Sequence, residues 1–388
     1  MTRRTGRQFF SNPGPTNIPD SVLRAMDRAT IDFNDPEFMP VYNQAVAGLK
    51  RVLQTEGELF FYTASGHGSW EATLVNLLSP GDAVLVLESG YFSEGWAEMA
   101  SSFGIVPRVV KADWRRGIDP AAVETALRAE PAIKAVLTVH NETATGMATP
   151  LPAIRAAMDA AGSDALLLVD TISSLGSIEF RMDDWGIDGV VGGSQKGLML
   201  PTGFSFTAVS KKGMAAHAEA RCPRHYFNWA EMVRRPHRSF VGTIPVAQFY
   251  GLQESLRLIE TEGLGAVVAR HHRLAEATRR AVRAWSGNAG PQLYGLDPAR
   301  LSDSLTAVLM PDGHSSDAIR KTALEKFNVS LGGGLGPLNG HVFRIGHLGD
   351  LNEPMILGTL GAVEMSLRIN EVPHGRGGVD AAMDYLAA

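Results

Sequence analysis

Three segments of the chain carry residue types that could do chemistry together. Ser65–Ser69 is a loop of small residues before a helical pattern over 72–78, Asp170 ends the apolar run 166–169, and Lys196 stands among small residues at 193–197. Each segment follows a strand-like run. Because ligands of open parallel sheets bind outside the carboxyl ends of the strands, we expect the three segments to converge.

Each segment alone has an ordinary structural explanation beside a functional one. The loop can bind phosphate through free N–H groups and the helix dipole, or it can simply cap the helix. Asp170 can cap a helix, bind a metal or pair with a protonated ring nitrogen; without a neighbouring cluster of metal-ligand spacing, we expect no metal. Lys196 can be a solvated surface charge, or an enclosed amine that loses its proton and becomes a nucleophile.

Together the three segments supply what pyridoxal 5′-phosphate (PLP) requires of a protein. A lysine can form a Schiff base with the aldehyde, an aspartate can hold the pyridinium nitrogen, and a small-residue loop can anchor the phosphate. The combination therefore indicates a PLP enzyme, although no single segment does so.

Longer motifs around these residues resemble a known family. The runs VDTISSLG at 169–176, GSQK at 193–196 and NPGPT at 12–16 are similar in order and spacing to those of class V aminotransferases. Within that family the likeness is to the alanine/serine/aspartate:glyoxylate aminotransferase group, and it extends from Asn12 to Arg368. The resemblance implies the PLP-dependent transferase fold of type I, PLP as cofactor, and a homodimer with shared active sites.

The resemblance also implies a role for each matching residue. Lys196 would be the Schiff-base lysine and general base, and Asp170 would pair with the pyridine nitrogen. The ring would lie between Ile172 and Phe92, with Thr143 beside it. Phosphate-binding positions match at five places, of which the last would be supplied by the neighbouring subunit: Ser65, Gly66, His67, Gln195 and Thr243.

Substrate recognition is expected from a further set of positions. Arg344 matches the arginine that binds the substrate α-carboxylate, which a planar guanidinium does through two charge-assisted hydrogen bonds. Phe33 and Asn34 stand at the expected substrate entrance, where glyoxylate-using relatives commonly have histidine and arginine; this stretch is similar to that of pyridoxamine:pyruvate aminotransferase, whose altered phosphate loop is absent here. Relatives often have tyrosine at position 240, so Phe240 removes one expected phosphate contact.

Several other conspicuous residues have structural interpretations. Trp70, Tyr91 and Trp96 are interpreted as aromatics of the core or of an interface, because large apolar side chains dominate both. Cys222 has no activating partner in the sequence and is interpreted as a buried thiol rather than a nucleophile. His67 and His140 are the histidines that we expect near the cofactor.

An α/β core must position this chemistry. Strand-like runs alternate with helical patterns, which predicts parallel βαβ units in a mainly parallel sheet. The strand-like runs lie at 83–87, 105–110, 132–139, 165–169 and 189–191, and the helical patterns at 92–103, 119–128 and 151–161. After about Pro245 follow a long helical region, 246–285, and the strands and helices of a smaller α+β unit.

We predict three parts along the chain. An extended segment over 1–18 is too irregular to fold alone and is expected to pack on the site or on the small domain. A large PLP-binding domain follows over 19–262, and a small C-terminal domain over 263–388.

Composition restricts the partners and the compartment. A formal charge of −5, from 36 basic and 41 acidic residues spread along the chain, offers no basic stripe for nucleic acid, so we expect small-molecule partners. A single cysteine fits a reducing compartment, and the basic N-terminus lacks the apolar core of an export signal, so we expect the cytoplasm. No stretch reaches the roughly 20 apolar residues that cross a bilayer, so we expect no membrane span.

The resemblance to class V aminotransferases implies an aminotransferase with a ping-pong cycle, in which alanine, serine or aspartate donates an amino group to glyoxylate or pyruvate. Three alternatives stay open: a class V lyase or hydrolase, among which a desulfurase would need a cysteine at the substrate; an aminotransferase for an unusual amine such as pyridoxamine; and a binding protein that has lost turnover. The joint presence of Lys196, Asp170 and Arg344 argues against the last.

Overall fold

The computed structural model describes residues 6–235 and 240–388, so the first five residues of the predicted N-terminal segment lie outside the described residues. The strands are β1 (Phe9–Ser11), β2 (Glu58–Tyr62), β3 (Ala83–Glu88), β4 (Val106–Lys111), β5 (Ala135–Val139), β6 (Asn141–Glu142), β7 (Met147–Ala148), β8 (Leu166–Asp170), β9 (Gly189–Gly193), β10 (Ser205–Val209), β11 (Gln292–Leu293), β12 (Leu305–Leu309), β13 (Val329–Gly333) and β14 (Val342–Gly346). The helices are α1 (Asp20–Met26), α2 (Phe38–Leu53), α3 (Gly66–Leu77), α4 (Tyr91–Ser102), α5 (Pro120–Ala129), α6 (Leu151–Ala160), α7 (Lys211–Glu219), α8 (Trp229–Met232), α9 (Val246–Glu262), α10 (Leu264–Trp285), α11 (Ser316–Phe327), α12 (Glu353–Ile369) and α13 (Gly378–Ala387).

The larger sheet has seven strands in the order β2-β10-β9-β8-β5-β3-β4. Its neighbours pair in parallel except at β10, which runs antiparallel to both β2 and β9. The predicted α/β class with a mainly parallel sheet is therefore confirmed. The sequence analysis did not predict the antiparallel β10.

Both faces of this sheet are buried. In β3, Leu85 and Leu87 pack into one apolar cluster, whereas Val84 and Val86 pack into a second cluster on the opposite face. Successive side chains of a strand point to opposite faces, so a strand covered by helices on both sides must be apolar throughout. This is why the central strands appear in the sequence as continuous apolar runs.

Three strands of the sheet end at the same edge. β8 and β9 are parallel, and β2 runs in their direction because both β2 and β9 are antiparallel to β10. Their carboxyl ends lead into the loop at Ser65, Asp170 and the Lys196 turn respectively. The predicted convergence of the three segments follows from this topology.

A smaller sheet, in the order β1-β13-β14-β12-β11, is built from the C-terminal strands and the N-terminal strand β1. β1 joins it in parallel, with Phe9 opposite Val329. Beyond β1 the N-terminal segment reaches the larger sheet, where the Thr16 N–H donates to the Gln195 carbonyl at 3.1 Å. The segment thus packs on both of the places expected for it. The boundaries at 18 and 262 stay predictions.

The structure refines two helical assignments. The predicted helical region 246–285 consists of two helices, because Gly263 separates α9 from α10. The helix that the small residues open begins at Gly66, so the loop itself forms the first turn. Within the described residues, none of the helices combines the length and apolar character that a membrane span requires.

Candidate active site

A cavity of about 240 Å³ lies at the carboxyl edge of the larger sheet. It contains nine of the ten predicted cofactor-binding residues, namely Ser65, Gly66, His67, Phe92, Thr143, Asp170, Ile172, Gln195 and Lys196. It also contains residues that the sequence analysis did not select: Gly14, Pro15, Trp70, Val139, Asn141, Ser173 and Thr202.

Lys196 is buried at the turn that follows β9, with 9% of its surface exposed. Its ammonium group donates a hydrogen bond to the Pro13 carbonyl of the N-terminal segment. Burial, reinforced by the nearby charge of Arg344, lowers the pKa of Lys196 to about 7, against the opposing charges of Asp170 and Glu142. A substantial fraction of the amine is therefore neutral, and thus nucleophilic, near pH 7.

Asp170 ends β8 with its side chain at the cavity and only 5% of its surface exposed. Its Oδ1 accepts a hydrogen bond from the Ile172 backbone N–H, and its Oδ2 accepts one from the Trp70 indole N–H, each at 2.7 Å. Burial raises the pKa of Asp170 to about 6, while these two bonds and the charge of Lys196 act in the opposite direction. A cation at this carboxylate would favour its ionised form.

The N-terminus of α3 supplies the small-residue loop. The Ser65 side chain does not cap the helix, so its hydroxyl and the N–H groups of Gly66 and His67 are available to an anion, whereas the Gly68 N–H donates to the Ser65 carbonyl at 2.9 Å. A side chain at Gly66 would displace Ile172, because a Cβ there would lie 2.2 Å from the Ile172 Cδ1. Burial lowers the pKa of His67, so its imidazole is largely neutral near pH 7.

Phe92 lies at the start of α4, and Glu142 holds that helix end in place. Glu142 Oε2 accepts from the backbone N–H groups of Phe92 at 3.1 Å and Ser93 at 3.2 Å, and its Oε1 accepts from Ala144 at 3.1 Å. The N-cap residue of α4, Gly90, has no side chain. Glu142 of β6 therefore accepts the hydrogen bonds that an N-cap side chain would otherwise accept. The sequence analysis missed Glu142, since spacing does not show which N–H groups a buried acid will meet.

Arg344 lies on β14 of the smaller sheet and is 7% exposed. Its Nε donates to the Gly333 carbonyl at 2.7 Å and its Nη1 to the Thr143 carbonyl at 2.8 Å, which fixes the guanidinium beside a cavity residue. Burial lowers the pKa of Arg344 to about 10, so the group keeps its charge at neutral pH. Within the described parts of the chain, Nη2 has no hydrogen-bond acceptor, and it is available to a carboxylate.

Besides Arg344, which lies next to the cavity residue Thr143 but is not part of the lining, three further predicted site residues do not line the cavity within one chain. Thr243 is exposed, and so is Asn34, whose amide donates to Asp32 Oδ1 at 3.1 Å. Phe33 packs against the apolar cluster on one face of the larger sheet. Phe240 is 2% exposed and its ring lies edge-on to Phe249, so the position that often holds a hydroxyl in relatives belongs here to the core.

Two interpretations of ring residues need correction. Trp70 is buried as expected, but it also lines the cavity and binds Asp170, so it is more than a core aromatic. Tyr91 is 43% exposed, so of its two interpretations the interface aromatic stays a prediction. His140 does not line the cavity: it lies against Phe180 and Trp185, hydrogen-bonded to the Ser174 hydroxyl.

The cavity suits a pyridine ring that carries a phosphate. Two buried acceptor oxygens of lining residues, Asn141 Oδ1 and Gln195 Oε1, have no hydrogen-bond partner among the described residues. A helix N-terminus, a carboxylate and an amine surround the same space, and they match the phosphate, ring nitrogen and aldehyde of PLP. Among residues 6–235 and 240–388, no group of histidine, cysteine, aspartate and glutamate could hold a metal ion.

Comparison with known proteins identifies relatives along the full chain. Serine–glyoxylate aminotransferase of Methylorubrum extorquens is 44% identical and aligns with 99% of this chain and 97% of that protein. L-aspartate–glyoxylate aminotransferase of Paracoccus denitrificans is 42% identical, over 96% of this chain and 94% of that protein. The crystal structure of pyridoxamine-pyruvate aminotransferase from Mesorhizobium loti is 29% identical and superposes with a TM-score of 0.89, over 97% of this chain and 96% of that one.

The structural neighbours are PLP-dependent aminotransferases of fold type I, so the fold predicted from the motifs is confirmed. The family implies PLP as the cofactor. The family model for class-V aminotransferases matches residues 8–336, which contain the cavity residues named above. The chain belongs to the class-V aminotransferases and is a PLP-dependent transaminase.

Proposed function

We propose that this chain holds PLP on Lys196 and transfers the amino group of a small L-amino acid to a small 2-oxo acid. One observation carries the proposal: a buried lysine whose pKa lies near 7 shares a cavity with a buried aspartate, next to a buried arginine. A purely structural lysine would gain nothing from a site that lowers its pKa in this way.

The residues that would hold the cofactor divide by chemistry. We assign the binding of the PLP phosphate to the N-terminus of α3 and to Gln195, together with Thr243 of a second copy of the chain. Phe92 and Ile172 are assigned to the two ring faces, and Thr143 to the ring edge. When bound, PLP supplies an electron-accepting pyridinium ring to which the electrons of the substrate Cα–H bond can move.

Each polar residue then has a task of its own. Lys196 Nζ takes the proton from the substrate Cα, because its neutral amine is a competent base near pH 7. Asp170 accepts a hydrogen bond from the protonated ring nitrogen and keeps that proton in place. Arg344 binds the α-carboxylate and so orients the Cα–H bond. The enclosure of Lys196 and Asp170 keeps bulk water away from the proton transfer.

The substrates are proposed from the site and from the relatives. A cavity of about 240 Å³ that also takes the cofactor leaves room only for a small substrate. The positive charge of Arg344 requires a substrate that carries a carboxylate. Since the relatives named above are serine–glyoxylate and L-aspartate–glyoxylate aminotransferases, we assign serine, aspartate or alanine as donor and glyoxylate or pyruvate as acceptor, in a ping-pong cycle.

A desulfurase is the less favoured alternative. Cys222 is buried and packs in the apolar cluster under α3, with its backbone N–H bonded to the Leu78 carbonyl at 3.3 Å, and it does not line the cavity. Burial raises the pKa of its thiol, which disfavours a nucleophilic thiolate. The Phe33-Asn34 stretch still makes pyridoxamine a compound to test as donor.

A homodimer in the cytoplasm completes the proposal. Thr243 is exposed in one chain and lies outside its cavity, which suits a contribution to the cavity of a second copy.

The test is transfer of labelled nitrogen. PLP-loaded protein is incubated with ¹⁵N-labelled alanine, serine, aspartate or pyridoxamine, with glyoxylate or pyruvate as acceptor, and the nitrogen-containing products are followed by NMR. We expect [¹⁵N]glycine or [¹⁵N]alanine from at least one amino acid. Release of [¹⁵N]ammonia in place of transfer would favour a lyase, and transfer from pyridoxamine alone would replace the proposed donor.

A further inference from the structure

Trp70 and Asp170 form a buried hydrogen bond between a helix and a strand end. The Trp70 indole N–H donates to Asp170 Oδ2 at 2.7 Å, and the two residues are 1% and 5% exposed. The Ile172 backbone N–H occupies the other oxygen. Each carboxylate oxygen therefore has one protein donor, and the two donors fix the orientation of the carboxylate plane.

The Trp70 ring is itself held by its neighbours. It stacks on Trp96 with the ring centroids 5.7 Å apart and an interplanar angle of 16°, it lies 4.5 Å from the His67 ring, and it meets Phe92 edge-on at 6.3 Å. Trp96 is buried to the same extent, but its Nε1 has no hydrogen-bond partner among the described residues. Of the two stacked indoles, only that of Trp70 donates a hydrogen bond to Asp170, and it also lines the cavity.

We propose that Trp70 is a positioning residue that keeps the Asp170 carboxylate ionised and correctly oriented, so that it can hold the proton of the cofactor's ring nitrogen. This inference rests on the proposed function, in which Asp170 faces that nitrogen. Trp70 itself need not touch the reacting atoms.

The physical reason is that an indole N–H only donates, so it stabilises a carboxylate more than a carboxylic acid. Burial raises the pKa of Asp170, and the Ile172 N–H, the Trp70 N–H and the charge of Lys196 lower it. Glu142 is a further ionisable group that interacts with Asp170, and its charge opposes ionisation. Of the groups that favour the ionised form, Trp70 alone can be removed without changing a charge or the backbone.

The first test measures Asp170 directly in the full-length, cofactor-free protein. Aspartate is labelled at ¹³Cγ, the Asp170 signal is assigned with Asp170→Asn, and its pH titration is compared between wild type, Trp70→Phe and Trp96→Phe. We expect Trp70→Phe to raise the midpoint by about one pH unit, a tenfold change in proton affinity, whereas Trp96→Phe leaves it unchanged. The same midpoint in Trp70→Phe and wild type would overturn the proposal.

The second test measures PLP affinity against pH in a Lys196→Ala background, which removes the titration of the lysine. If Trp70 acts through the charge of Asp170, Trp70→Phe weakens PLP binding about fivefold near pH 6 and leaves it within about twofold by pH 9. A packing role predicts the same loss at every pH and the same loss in Trp96→Phe, and that result would contradict the proposal. Because the carboxylate titration needs no PLP, it decides the role of Trp70 even if PLP binding, and with it the proposed function, fails.

Discussion

At the scale of single residues, the site holds two cations close together in a poorly solvated space. Burial lowers the pKa of both Lys196 and Arg344, and the charge of Arg344 lowers that of Lys196 further. The consequences differ, because an arginine stays protonated at neutral pH whereas a lysine with a pKa of about 7 does not. Arg344 can therefore bind an anion while Lys196 acts as a base.

Arg344→Ala should raise KM for the acid substrates by about 100-fold and change PLP affinity by less than about threefold, because a charge-assisted contact with the carboxylate is lost while the cofactor contacts remain. Steady-state kinetics with the best donor, and PLP titration, measure the two effects. Arg283→Ala, which removes an exposed arginine of α10 that pairs with Glu276, is the control and should leave KM near wild type. An unchanged KM in Arg344→Ala would remove the carboxylate role.

Residue types and motifs predicted most of this cavity, but not the contacts that adjust it. Lys196, Asp170 and the α3 loop could be selected because their chemistry is unusual in combination and they follow strand ends. Trp70 and Glu142 could not, because their roles depend on where an indole N–H and a carboxylate point. Those directions are set by packing between elements far apart in the sequence.

At the scale of elements, the start of α4 depends on an acid from outside the helix. Glu142 is fully buried and accepts hydrogen bonds from three backbone N–H groups, two of them in the first turn of α4. Burial raises the pKa of Glu142 to about 7 in the folded protein. Because the folded pKa lies above the unfolded one, this group favours folding below about pH 4.5, and its contribution is lost as pH rises towards 7.

Glu142→Gln should destabilise the protein by about 1–3 kcal/mol at pH 5, because both oxygens of a protonated carboxyl group can accept hydrogen bonds, whereas the NH2 group of an amide cannot. Thermal unfolding of the cofactor-free protein measures this loss of stability. The difference from wild type should shrink between pH 5 and pH 7, because Glu142 ionises in the unfolded wild type over this range while the buried group stays largely protonated. Glu98→Gln, an exposed position on the same helix, should change the Tm little at either pH; equal shifts in both variants would show that the cap contributes nothing.

Sequence periodicity predicted the long elements better than the short ones. The central strands are apolar throughout because both faces of the sheet are covered. Their continuous apolar runs can therefore be recognised in the sequence. β1 has three residues and depends on its pairing with β13, so its own composition does not predict a strand. The break at Gly263 within an otherwise helical region likewise depends on tertiary packing, which sets the separate directions of α9 and α10.

At the scale of the whole molecule, the N-terminal segment connects the smaller sheet to the lysine. It pairs with β13 through β1, and a few residues later the Pro13 carbonyl accepts a hydrogen bond from Lys196 and the Thr16 hydroxyl donates to the Lys196 carbonyl at 3.0 Å. Gly14 lies between these contacts, at a φ of +112°, and a Cβ there would come within 2.4 Å of the Lys196 side chain.

Gly14→Ala should therefore displace the end of the Lys196 side chain and reduce covalent PLP loading at least tenfold, because the added methyl group would lie 2.3–2.4 Å from the Cδ, Cε and Nζ atoms of Lys196. Gly313→Ala is the matched control, since Gly313 also has a positive φ, +81°, but a Cβ there would meet nothing within 4 Å. We expect the control to lose only about 1 kcal/mol of stability from backbone strain and to load PLP normally. Borohydride reduction followed by mass spectrometry measures loading; full loading of Gly14→Ala would contradict the proposed packing.

The proposed shared sites make a prediction about mixed dimers. In a dimer of one Lys196→Ala chain and one Thr243→Ala chain, one cavity combines the intact lysine of one subunit with the intact threonine of the other, and its neighbour lacks both. Co-expressed and differently tagged variants should therefore regain about half of the wild-type activity per dimer, far more than either variant alone. Activity that is only the mean of the two parents, or a protein that sediments as a monomer, would refute shared sites.

The most direct test of the central claim is the attachment and use of PLP at Lys196. Purified wild type and Lys196→Ala are loaded with PLP, reduced with borohydride and mapped by peptide mass spectrometry, and unreduced samples of each are assayed for nitrogen transfer from the best amino acid to glyoxylate. We predict PLP on the peptide that contains Lys196 in wild type alone, and loss of transfer in a Lys196→Ala protein that is still folded by circular dichroism. PLP on another residue, or normal transfer by Lys196→Ala, would contradict the account.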